Sequence, residues 1–278
     1  MKNRAAGLII LFLISPLFAL ATHLRAGEIT VERTNCTSLI FKITITVYTN
    51  TGSDIKFGEG ILDYGDGNTD TTPTIDNTKR PDLGENIGTV SYSILHTYAG
   101  PGRYVISYLE PNRNGGILNI FNSVETRFYV ETVINIDPFL GCNNSPKLLV
   151  PPIDKACTGA AWFHNPGAYD PDGDSLSFAM TIPKKEKGQV VGNYRSPNNK
   201  EFYDRINLPY GTASEDGLHA PTFKIDSLTV LLHGTRPVCR ANTTLHSSLK
   251  NGVRSPAHGA DGICDARHAD HRGRLSES

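Results

Sequence analysis

Three carboxylates stand at alternate positions in Asp170-Pro171-Asp172-Gly173-Asp174. Packed this closely they repel one another unless a cation or backbone N–H groups neutralise them. Ca²⁺ takes six to eight oxygens and tolerates an irregular loop, so Asp170, Asp172 and Asp174 form a candidate Ca²⁺ site. The spacing is not that of an EF-hand: Ser175 stands where such a loop needs Gly, and Thr181 where it needs Glu. The competing reading is a β-turn whose Asp side chains cap its own backbone. No other cofactor is expected.

Catalytic chemistry finds weaker footing. No G-x-S-x-G, H-E-x-x-H or P-loop pattern occurs. Asp63 and Asp66 could be a carboxylate pair, but glycosidase carboxylates are defined by their separation across a cleft, which spacing in sequence does not set. His96 and His164 sit in motifs where a turn or packing role suffices. Trp162, the single Trp, could form a sugar-stacking platform alone or with Phe163 and Tyr169, although core packing is the simpler use. No catalytic residue is expected.

The chain opens with an address. Lys2 and Arg4 precede an apolar run from Leu8 to Leu20, and Ala19-Leu20-Ala21 is a small-x-small cleavage site. This is the layout of a secretory signal peptide spanning residues 1–21. The run, about 14 residues and broken by Pro16, is shorter than the ~20 a spanning helix needs. A secreted or extracellular cell-surface location is therefore expected, with no membrane span after cleavage. Outside the cell, disulfides form and persist. Of the five cysteines (Cys36, Cys142, Cys157, Cys239 and Cys264), Cys142 and Cys157 are the expected disulfide. They would close a loop of about 15 residues, worth roughly 3 kcal/mol in the loop-entropy account. A formal charge of -1 gives no electrostatic case for a nucleic-acid partner.

The elements that must position these residues read as strands. Phe41, Ile43, Ile45 and Val47 alternate with Lys42, Thr44 and Thr46. Tyr104, Ile106 and Tyr108 repeat the pattern, as do Phe128, Val130, Ile134 and Ile136, and then Leu176, Phe178, Met180 and Ile182. Period two places one face on a core and the other in water. With 26 Gly and 17 Pro, and no capped 3.6-residue period after residue 22, the chain reads as all-β: two β-sandwiches, residues 22–137 and 138–228, meeting near Asp137–Gly141.

Two groups of motifs carry a family resemblance. Leu62-Asp63-Tyr64-Gly65-Asp66-Gly67-Asn68 with the later His96-Thr97-Tyr98-Ala99-Gly100-Pro101-Gly102-Arg103-Tyr104-Val105 resembles the polycystic-kidney-disease (PKD) domain, an immunoglobulin-like sandwich of extracellular proteins. Leu62 stands where that family usually has Trp. Asn144-Ser145-Pro146, Pro151-Pro152-Ile153-Asp154-Lys155-Ala156-Cys157 and Phe163-His164-Asn165-Pro166-Gly167-Ala168-Tyr169 leading into the acidic turn look like exported proteins of gliding Bacteroidota-type bacteria. Many of those carry PKD-like repeats and a gliding-motility-associated C-terminal sorting domain, which this chain lacks. The acidic turn itself is similar to the D-P-D-G-D turns of cadherin-like bacterial repeats, some of which bind Ca²⁺. The resemblance implies a non-catalytic surface module that meets an extracellular protein or glycan.

Residues 229–278 break the pattern. The Trp, all 11 Tyr and all 11 Phe precede residue 229, and strand alternation stops there. A zinc-binding tail would need Cys239, His246, Cys264, His268 and His271, whose spacings fit no common zinc pattern. A frameshifted or disordered segment is the favoured reading. From the third base of codon 229, permitted codons encode a stretch with a Trp, a Pro-Gly turn and an alternating strand. A second alternating strand is encoded from the second base of codon 262, in the other shifted frame. On this reading the second sandwich is incomplete as written.

Overall fold

The computed structural model describes residues 24–111, 113–154, 161–199 and 201, and the strands 224–225, 232–235, 242–249 and 258–261. The expected signal peptide lies outside the described residues. The fold is all-β. Strands β1 (Leu24–Arg33), β2 (Ile40–Asn50), β5 (Thr78–Lys79) and β6 (Ile87–Thr97) form one antiparallel sheet in the order β1-β2-β6-β5. Strands β3 (Ile61–Asp63), β4 (Thr69–Thr71), β7 (Gly102–Glu110) and β8 (Phe128–Ile136) form the other, ordered β4-β3-β7-β8.

The alternation in sequence explains the packing of these two sheets. Ile43, Ile45, Val47 and Val90 turn inward from the first sheet, and Leu62, Ile106, Tyr108, Phe128 and Val130 from the second, all in one buried cluster. The middle of the opposite face of β2 and β6 is polar, with hydroxyl pairs Thr44–Ser93 (2.8 Å) and Thr46–Ser91 (3.3 Å) across the strands, while at one end of that face Tyr48 and Ile87 are buried with Ala26 and Ile153. Such cross-strand pairs fix register because a one-residue slip would move every apolar side chain into water.

β8 departs from simple alternation. Both its faces are buried, Phe128 and Val130 toward the sandwich and Tyr129, Glu131 and Val133 away from it. The hairpin of β13 (Lys184–Glu186) and β14 (Gln189–Val190) covers the outer face. Lys184 pairs with Glu131, Arg127 with Glu186, and Lys187 Nζ reaches Asp63 at 3.2 Å. Further along, Val191 and Tyr194 pack with Ile117 and Ile120. Residues 184–194 thus lie on the first sandwich although about 50 residues separate them from β8 in sequence.

The remaining ladders are short. β9 (Lys147–Leu148) pairs with β11 (Ala168–Tyr169); β10 (Ala161–His164) with β16 (Leu232–Thr235), which also pairs β15 (Lys224–Ile225); and β12 (Leu176–Thr181) with β17 (Asn242–Leu249), which pairs β18 (His258–Asp261). Three paired strands therefore fall within residues 229–278. Among the residues beyond 137 whose burial is described, Ile153, Phe178 and Val191 are the buried hydrophobics.

The disulfide differs from expectation. Cys142 is bonded to Cys36, with Cα atoms 5.0 Å apart, and not to Cys157, which lies outside the described residues. Proximity in sequence favours a local pair, but the β1–β2 turn and the segment leaving β8 emerge at the same end of the sandwich. There the fold brings together two cysteines 106 residues apart.

Candidate functional site

Two constellations of chemistry-bearing residues emerge. The first is the corner between β3 and β4. Gly65 and Gly67 adopt φ of +82° and +95°, a region open to glycine and costly for other residues. Asp63 Oδ1 accepts the Gly65 N–H at 2.7 Å, and Asp66 Oδ1 accepts the Asn68 N–H at 3.0 Å. The two carboxylates are thus spent on holding the turn. Asp66 Oδ2 lies 2.7 Å from His96 Nε2. The imidazole of His96 stacks on the Tyr64 ring at 3.8 Å and meets Tyr98 edge-on at 4.8 Å. Tyr98 donates to the Tyr64 carbonyl at 3.0 Å, and Tyr64 donates to Asp70 Oδ2 at 2.5 Å.

Charge in this corner follows its burial. Desolvation alone would raise the Asp66 pKa, but hydrogen bonds from His96 and Asn68 hold the carboxyl below the ordinary range. Burial, then the hydrogen bond to Asp70, raises the Tyr64 phenol far above its usual value. These groups join the end of β6 to the β3–β4 corner, and so join the two sheets. Tyr64 and Asp70 carried no sequence signal of their own. Once the D-x-G-D-G turn is recognised, the aromatic between the acids is a natural lid for His96.

The second constellation is the acidic turn. Asp170 Oδ1 accepts the backbone N–H groups of Asp172 (2.9 Å) and Asp174 (3.2 Å). Burial raises the Asp170 pKa, and these two hydrogen bonds oppose it. Asp172 faces outward from the turn to a different segment. Its Oδ2 accepts the Asn144 N–H at 2.6 Å, and its Oδ1 accepts Asn144 Nδ2 at 2.9 Å. Asp174 Oδ2 accepts Asn143 Nδ2 at 3.3 Å. Among the described residues no group of three or more His, Cys, Asp or Glu side chains is arranged to hold a metal ion. Of the expected Ca²⁺ set, Asp170 Oδ1, both Asp172 oxygens and Asp174 Oδ2 accept N–H groups, whereas Asp170 Oδ2 and the neighbouring Asn143 Oδ1 are buried without a hydrogen-bond partner among the described residues. Two of these N–H donors come from the turn itself, and the rest come from Asn143 and Asn144.

Asn144 links this turn to the first sandwich. Its Oδ1 accepts the Arg33 N–H at 2.8 Å. Ser145 Oγ accepts the Val31 N–H at 2.7 Å, and the Ser145 N–H donates to the Val31 carbonyl at 2.8 Å. β1 is the edge of its sheet, so these bonds occupy backbone groups that would otherwise be open to another chain. Lys147 pairs with Glu32, and the Cys36–Cys142 bond fastens the same segment covalently. Asn144 and Ser145 stood in the sequence as part of a family-like motif, but their bonds to β1 and to the acidic turn carried no sequence signal, and Asn143 carried none beyond forming an amide pair after Cys142.

The other candidates lie on β10 and β11. His164 Nδ1 lies 3.1 Å from Asp154 Oδ2. Phe163 and Tyr169 are on separate short ladders and are exposed. Trp162 lies in β10 opposite Gly234. Comparison with family models, with curated proteins and with solved structures returns no match.

Proposed function

We propose that this chain is an exported, non-enzymatic module of a cell surface that binds or adheres to an extracellular protein, in the manner of the PKD-like repeats of gliding bacteria. The observation that carries the reading is the use made of its polar residues. Asp63, Asp66, Asp172 and His96 are committed to turns and to joining segments. The Cys36–Cys142 bond supports export, because disulfides persist in oxidising compartments. A covered β1 edge suits a domain held among others without uncontrolled strand pairing.

The alternative is a glycan-binding accessory, favoured by the exposed Phe163 and Tyr169 near Trp162 in sequence. Fluorescently labelled protein is applied to whole bacterial cells, either shaved with proteinase K or oxidised with periodate, which destroys vicinal diols. Binding lost on shaving and kept after periodate supports the protein-binding reading. The reverse, with further loss on Trp162→Ala, supports the glycan reading. Absence of binding to untreated cells overturns both.

A further inference from the structure

β16 and β17 stand where the written residues give least reason for strands. β17 reads Asn-Thr-Thr-Leu-His-Ser-Ser-Leu, with no aromatic residue and little alternation. Yet it pairs with β12 without a break from Leu176↔Leu249 to Thr181↔Thr244. β16, which reads Leu-His-Gly-Thr, pairs with β10 over four residues, from Ala161↔Thr235 to His164↔Leu232.

The shifted frame that begins at the third base of codon 229 lines up with both. One choice of permitted synonymous codons lets that frame encode Gly-Thr-Ala-Thr-Trp-Asp-Ala-Pro-Gly-Met-Pro-Gly-Glu-Tyr-Asn-Ile-Ala-Phe-Val-Ile-Glu-Glu-Trp-Arg. Thr-Trp-Asp-Ala falls on codons 232–235, the extent of β16, and Tyr-Asn-Ile-Ala-Phe-Val-Ile-Glu on codons 242–249, the extent of β17. Pro-Gly-Met-Pro-Gly, a turn composition, falls between them. The coding reason is specific. In this frame the second base of each codon, which largely sets whether a residue is apolar, is the first base of the next written codon. Written Leu245, Ser247, Ser248 and Leu249 can all begin with T, and T at the second base encodes Ile, Phe, Val and Ile.

The receiving side fits such a strand. β12 carries Leu176, Phe178 and Met180 at alternate positions. Phe163 in β10 and Ile182 just after β12 remain exposed. We propose that the strand sites beside β10 and β12 are built for these two shifted-frame strands, and that an insertion or deletion ahead of codon 232 has replaced them with the written ones. The ligand class of these sites is therefore an alternating apolar-aromatic β-strand.

The test uses two full-length variants. One replaces residues 229–252 with the shifted-frame segment, and the other with the same residues shuffled. The shifted-frame graft is expected to slow thermolysin cleavage about tenfold relative to the written chain, an effect of about 1.4 kcal/mol on the opening equilibrium, and the shuffled graft not to. Should the graft fail to fold, the peptide Glu-Tyr-Asn-Ile-Ala-Phe-Val-Ile-Glu added to the written chain is expected to bind, read by fluorescence polarisation, and its scrambled form not to. Resequencing the gene through codons 225–278 completes the test. A graft and peptide no better than their shuffled controls, or an uninterrupted written frame in the gene, overturns the proposal.

Discussion

Gly65 is held where few residues can stand. At φ +82°, a Cβ would also lie 2.6 Å from the backbone N and O of Val105. Gly65→Ala is expected to destabilise the protein by at least the roughly 1–3 kcal/mol of left-handed strain, read as a lower urea midpoint. Gly67 meets nothing within 4 Å, so Gly67→Ala carries the backbone term alone and is the milder change. Two carboxylates titrate in opposite senses. Asp66 is held below its ordinary pKa, so its contribution is present above the unfolded value and is lost as pH falls through the folded one. Asp66→Asn is expected to cost about 1–3 kcal/mol at pH 7, the scale of a charged hydrogen bond, and to flatten the acid limb of the stability curve. Burial pushes Glu28 up to about 7. The folded state then binds the extra proton between about pH 4.5 and 7, and stability falls as pH rises across that window. Glu28→Gln is expected to remove this slope, measured as the difference in urea midpoint between pH 5 and pH 7.5.

At the scale of elements, the segment from Cys142 to Lys147 acts as a strap. It covers the β1 edge through Asn144 and Ser145, and it carries the acidic turn through Asn143 and Asn144. Asp172→Ala removes the acceptor of two Asn144 donors and is expected to speed amide hydrogen exchange at Asn144 and Ser145 while leaving β2 and β7 unchanged. Ca²⁺ added to EDTA-treated protein is expected to leave the melting temperature where it was, because the carboxylate oxygens of this turn other than Asp170 Oδ2 accept N–H groups of the turn and of Asn143 and Asn144. A calcium-dependent rise would restore the metal reading. The disulfide closes a loop of 106 residues, so reduction or the Cys36→Ser, Cys142→Ser pair is expected to cost about 2–4 kcal/mol.

For the whole molecule, the largest apolar cluster among the described residues lies in the first sandwich. The main buried cluster is drawn entirely from residues 24–136. Ile45→Ala, fully buried, is expected to lower the main unfolding transition by about 2–5 kcal/mol. Phe178→Ala is expected to leave that transition in place. The single Trp lies in β10 whereas most tyrosines lie in the first sandwich, so the two spectroscopic signals separate the halves. Trp fluorescence and tyrosine near-UV circular dichroism are expected to follow different denaturant midpoints.

Local patterning was enough to fix several features of this protein. Alternation in Phe41–Val47 and Tyr104–Tyr108 set the strands and their inner faces, because a pleated strand repeats every two residues. Gly65 and Gly67 marked a positive-φ corner, because only glycine enters that region cheaply. Tertiary structure alone decided the rest. Cys142 could pair with any cysteine until the sandwich carried Cys36 to the same end. Asp172 could meet a cation or an N–H until the strap placed Asn144 beside it. Burial of both faces of β8 depended on a hairpin about 50 residues further along. Each of these is a long-range encounter, and a sequence records the groups that meet without recording the distance between them.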